Sequence, residues 1–133
     1  MSVEIRFFAS ILLSFFLGIH CTKNTVHPKL DPELINEPDR FEFKITDVRF
    51  ITHQLEYRWQ NNGINAVIYN GSIIAEGKAS LILLDEAGDE AFSLDLTQTG
   101  DFFSSAGSIG NWTVRLNMTD VRGTIHFRVN RRP

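Results

Sequence analysis

The sequence holds a single cysteine, Cys21, among its 133 residues. One thiol cannot form an internal disulfide, so the fold must stand on its hydrophobic core alone. A basic cluster is also missing. Net charge is −3, and the one basic concentration, Arg128, Arg131 and Arg132, lies near the C-terminal end and reads as a solvated chain end. Such a chain is a poor partner for nucleic acid, where neutralising phosphates dominates affinity. Helical periodicity is almost absent after residue 40. The apolar run Phe7 to Ile19 is too short for a bilayer core, which takes about 20 residues.

Catalytic signatures are absent as well. Gly107-Ser108-Ile109-Gly110 has the wrong spacing for a nucleophile elbow, and no phosphate loop or dinucleotide fingerprint occurs. Four histidines show no metal-ligand spacing; His20 and His27 precede the main domain, and His53 and His126 are expected to face outward from strands. Asp85, Glu86, Asp89 and Glu90 offer oxygen ligands but lack the spacing of a calcium loop, so they read as a solvated hairpin tip. The expectation is a non-enzyme with no cofactor and no metal. A small hydrolase is the remaining catalytic alternative, since paired carboxylates need not be close in sequence.

The length supports one domain with a tail. The N-terminal segment Met1 to His20 has a short, weakly charged start, where Glu4 offsets Arg6, followed by the apolar run. That is the organisation of a secretory signal. Gly18-Ile19-His20-Cys21, preceded by Phe15-Phe16-Leu17, resembles the lipobox of bacterial lipoproteins, in the relaxed form of spirochaetal members. The common pattern has Leu three residues before the cysteine and a small residue directly before it; here Gly18 and His20 occupy those positions. The resemblance implies lipidation of Cys21 through its thiol, cleavage before it, and acylation (palmitate) of the new amino group. It implies a partner, the membrane, reached through that anchor. Thr22, rather than Asp, after the cysteine resembles an outer-membrane address. The competing reading is an ordinary signal peptide and a freely secreted protein. In that case Asn70-Gly-Ser, Asn111-Trp-Thr and Asn117-Met-Thr are candidate glycosylation sites in a eukaryotic host.

Residues 21–40 follow as an expected flexible tether. Pro28, Pro32 and Pro38 lie among polar residues, which opposes a continuous helix. Leu30, Leu34 and Ile35 allow the alternative of an arm packed across the domain.

Residues 41–133 change to period two. Phe41, Phe43 and Ile45 alternate with polar neighbours, and Val48 and Phe50 continue out of phase, which predicts a bulge near Asp47. Leu55, Tyr57 and Trp59 form the next run. Asn62-Gly63 and Asn70-Gly71 are hairpin signals. A long strand over 71–85 returns through the DEAGDE turn to Phe92, Leu94 and Leu96. Trp112, Val114, Leu116 and Met118 are expected to turn at Thr119–Gly123 into Ile125, Phe127 and Val129. The sum is an all-β antiparallel sandwich of six or seven strands, with an open barrel as the other architecture. The glycine, tryptophan and alternating residues from Gly107 to Val129 resemble the closing strands of small Ig-like or jelly-roll modules of exported bacterial proteins.

One pair stands out for binding. Phe102 and Phe103 are adjacent aromatics in a Gly/Ser-rich segment and form a candidate binding loop for a protein or glycan ligand. The bland reading places one ring in the open end of the sandwich and the other on the surface.

Overall fold

A computed structural model describes residues 30–133. Seven antiparallel strands make up the domain: β1 (Glu33–Glu37), β2 (Arg40–Asn61), β3 (Ala66–Asn70), β4 (Ile73–Leu84), β5 (Glu90–Asp95), β6 (Gly100–Phe103) and β7 (Gly110–Arg131). The expected all-β antiparallel sandwich is the observed fold.

Its organising unit is the pair β2·β7, each 22 residues long and hydrogen-bonded along nearly its whole length. The pair is folded over on itself. Phe41 and Tyr57 belong to the same strand, yet their ring centroids lie 5.6 Å apart. Both ends of β2 meet at Asp39, whose N–H donates to Gln60 O at 2.9 Å. Each long strand therefore supplies one arm to each of two layers. The first layer contains β1, the 40–45 arm of β2, the 125–131 arm of β7, β3 and β6. The second contains the 53–61 arm of β2, the 110–118 arm of β7, the later part of β4, and β5.

The fold-over is a corner of bulges. Register slips between Ile45 and Val48, Val48 and Ile51, and Ile51 and His53 in β2. It slips twice more in β4 between Ile74 and Lys78. Asp47, Phe50 and Asp120 take positive φ there, as do Gly77 and Gly123. The two glycines are sterically required. A Cβ on Gly123 would sit 2.0 Å from Ile73 O, and one on Gly77 would sit 2.1 Å from Asp120 O. The sequence pattern anticipated the bulge near Asp47. The expected turn at Thr119–Gly123 is instead a bend inside one continuous strand, because β7 keeps β2 as its partner on both sides of the bend.

Period-two alternation fills the space between the layers. Inward rows cross the first layer as Phe41–Val129–Ile68–Phe102 and the second as Leu55–Leu116–Leu81–Leu94. Trp59 and Trp112 pair edge-to-face at 6.1 Å and are fully buried. Each indole N–H has a partner: Glu37 O for Trp59 and Ser108 O for Trp112.

Two further expectations are corrected. The tether expected over 21–40 ends earlier, since Glu33–Glu37 pair with Arg40–Lys44 and Leu30 packs against the core. The reason is twofold: Leu30 gains apolar contact that a solvated linker would forgo, and the edge of β2 offers backbone partners to Glu33–Glu37. The rest of that expected tether and the expected signal segment, Met1 to His20, lie outside the described residues. The Asn-Gly turns do not close hairpins either. β3 pairs with β7 and β6, not with β2 or β4, so both turns connect strands that are not partners. The DEAGDE turn does close one, between β4 and β5, with Gly88 at φ 87°.

Candidate functional site

The outward face of the first layer gathers a polar cluster. Antiparallel register sets Glu42 opposite Arg128, Arg128 opposite Tyr69, and Tyr69 opposite Asp101. These four form one row across β2, β7, β3 and β6. The neighbouring pair is Lys44 and His126. The row exists because each residue occupies the solvent-facing phase of its strand, between the buried Phe41 and Phe43, Phe127 and Val129, and Ile68 and Asn70.

Glu42, Tyr69, Asp101, His126 and Arg128 line an open cleft of about 310 Å³, with Asn70, Gly71 and Gly100 completing the wall. That is the lower end of the range for small-ligand sites. His126 Nε2 lies 3.3 Å from Glu42 Oε2, and Arg40 lies 3.8 Å from the other Glu42 oxygen. The Arg128 guanidinium stacks over Tyr69 at 4.4 Å from the ring centroid. It has no carboxylate within ion-pairing distance among the described residues, although Glu42 and Asp101 share the cleft. Arg128 Nε and Asn130 Oδ1, two positions apart on β7, are buried without hydrogen-bond partners. Buried polar atoms are normally paired, and both lie beneath the accessible surface, outside the reach of a ligand in the cleft. The cleft thus presents a planar cation, two carboxylates and an imidazole, which suits recognition of a small polar group by hydrogen bonds.

Asn70 cannot serve as an accessible acceptor of glycans in the folded chain. It is 4% exposed, donates to Leu96 O and Gln98 O, and accepts from Ser72 N. Asn111 is exposed and Asn117 half-buried.

The Phe102–Phe103 pair falls in edge strand β6 rather than in a loop. Strand alternation separates the two rings. Phe102 turns inward, 6.3 Å from Phe92. Phe103 is 59% exposed beneath the Arg132 guanidinium, 4.5 Å from its ring centroid. Cys21 lies outside the described residues. His53 pairs with Met118 in the second layer, and His126 is in the first, so the two do not form one site. Among the described residues no group of three or more His, Cys, Asp or Glu could hold a metal.

The acidic turn is structural. Asp85 is buried and accepts from Asp89 N and Ser108 N, each at 2.9 Å. Those bonds, Ser108 first and Asp89 next, hold its carboxyl below the usual carboxylate range. Glu86 accepts from Asn111 N and faces Arg58.

No family model matches the chain, and no curated protein matches it. Among solved structures, it is similar to procruciferin, an 11S globulin from Brassica napus, at 16% identity and a TM-score of 0.35. That match covers 80% of this chain and 27% of the other. A structure of infectious bursal disease virus Gt strain matches at 9% identity and a TM-score of 0.29, covering 77% of this chain and 32% of that one. The chain therefore spans about a third or less of either structure.

Glu42, Tyr69, Asp101, His126 and Arg128 were not singled out as a set from the sequence. Their only signal is the polar phase of period-two strands, and pairing them requires the register.

Proposed function

We propose that the protein is an extracytoplasmic lipoprotein, anchored through Cys21, whose β-sandwich serves as a non-catalytic binding or structural module. The observation that carries this reading is the apolar run Phe7 to Ile19 ending two residues later at the chain's only cysteine. The thioether chemistry of lipidation needs a thiol, and two or three acyl chains anchor firmly at about 0.8 kcal/mol per buried CH2. The proposed address is the outer membrane, from Thr22. The outward cleft around Arg128 is the proposed contact for a protein or glycan ligand.

Intact mass of the mature chain tests the reading. An acylated Cys21 at the N-terminus is expected, and Cys21→Ala is expected to release the protein from membranes. An unmodified mature chain beginning at Thr22 would overturn it in favour of the freely secreted alternative, which His20 in the small-residue position favours.

A further inference from the structure

The corner end of the sandwich carries two exposed apolar side chains that nothing in the fold uses. Phe50 is 59% exposed and Ile73 is 70% exposed. Both flank the same stretch of β7: Ile51 pairs with Val121, Val48 with Gly123, and Ile73 with Thr124. Phe50 is also held at φ 52°, a conformation disfavoured for a bulky aromatic. Its backbone is strained and its side chain gains no burial in return. Both arginines near the pair are held by carboxylates, while Asp120 on the same stretch meets only the Thr52 hydroxyl among the described residues. Asp47 and Arg49 pair at 3.2 Å, and Glu76 and Arg122 at 3.5 Å.

The chain enters the domain at this same end. Leu30 packs on the core beside Ile45, Val48 and Ile51. Only nine residue steps separate Cys21 from Leu30. Whatever their conformation, they span at most roughly 30 Å. The arm His53–Asn61 runs away from the corner for about 26 Å, at roughly 3.3 Å per residue step. A lipid at Cys21 would thus reach the corner with slack, whereas reaching the opposite end, where Ile64, Phe103 and Ile109 are exposed, would need these residues stretched almost fully along the domain.

We propose that the corner is a membrane-contacting surface on which Phe50 and Ile73 enter the headgroup–acyl boundary. This rests on the Cys21 anchor proposed above. Apolar side chains flanked by arginines suit that boundary, since the arginine heads extend toward headgroups while the apolar tips are buried. The loop end then faces away from the membrane, and the cleft around Arg128 stands along the side of the domain.

The test uses the full chain, expressed with its signal and reconstituted in phosphatidylethanolamine–phosphatidylglycerol vesicles carrying brominated acyl chains. Three single variants are compared, Phe50→Trp, Ile73→Trp and, as the far-end control, Ile109→Trp, each after subtraction of the emission of buried Trp59 and Trp112. The proposal expects loss of most of the added emission at positions 50 and 73 and little loss at 109. Two reporters at the corner guard against one substitution disturbing the bulge. If neither corner reporter is quenched in a chain whose mass shows an acylated Cys21, the contact surface is wrong and the anchor stands. Quenching at 109 alone overturns the orientation. A mass without acyl groups overturns the anchor and this surface together.

Discussion

The two ends of the sandwich solve one problem differently. At the corner, β2, β7 and β4 change layer without leaving the sheet, and the backbone does the work. Gly77 and Gly123 allow close approach, while Asp47, Phe50 and Asp120 hold positive φ. At the opposite end the chain breaks into loops, and side chains close it. Asp39 Oδ1 accepts from Asn62 N at 2.8 Å, its carbonyl accepts from Arg131 N at 3.0 Å, and its carboxylate lies 3.7 Å from Arg131 Nε. Asp85 ties the 104–109 segment to the β4–β5 turn. The difference shows where the fold is intolerant. A glycine wedged against a carbonyl has no alternative, whereas a polar latch is one of several and is partly replaceable by water.

The largest expected effect is therefore at the corner. Gly123→Ala and Gly77→Ala combine positive φ with a backbone clash and should each cost about 3 kcal/mol or more, read as the urea midpoint. A loss under about 1 kcal/mol would show that the corner is pliable and erase the contrast. Asp39→Ala should cost less, about 1–3 kcal/mol, through lost hydrogen bonds to the ends of β2 and β7. Asp39 also has a positive φ, 67°, and Asp39→Asn, which tolerates that conformation, should recover part of the loss.

Next comes a pH effect at Asp85. Its carboxyl is lower in the folded state than in the unfolded chain, so its contribution is fully present above the ordinary value of about 4. It is lost as pH falls through the lowered folded value. Stability should drop on acidification below about pH 4, and Asp85→Asn should flatten that part of the profile. Asp95, held down by the Thr97 N–H and hydroxyl, contributes in the same window and bounds the flattening.

The smallest effect has the opposite sign. Phe50→Asn keeps the left-handed backbone with a residue that accepts it, and should raise stability by up to about 1 kcal/mol. Thermal unfolding of the variant beside the parent chain would show it. A gain there, together with weaker membrane contact, would mean that Phe50 is kept for its surface role.

Much of this architecture was legible in the residues alone. Alternation in Phe41–Ile45, Leu55–Trp59 and Trp112–Met118 sets strand, face and core, because side-chain direction in a strand depends only on local geometry. The DEAGDE hairpin and the bulge near Asp47 were readable for the same reason. What tertiary structure alone decided was partnership. Asn62-Gly63 and Asn70-Gly71 have hairpin chemistry, yet β3 finds its partners in β7 and β6. Thr119–Gly123 has turn chemistry, yet β2 holds β7 continuous through it. Glu33–Glu37 look like linker until β2 offers an edge. Glu42, Tyr69, Asp101, His126 and Arg128 lie on four strands and become one cleft only through register. Cys21, by contrast, has its proposed role from sequence context alone, because a signal is read as an extended chain before any fold exists. Local patterns fix which way a side chain points; what it meets depends on long-range pairing.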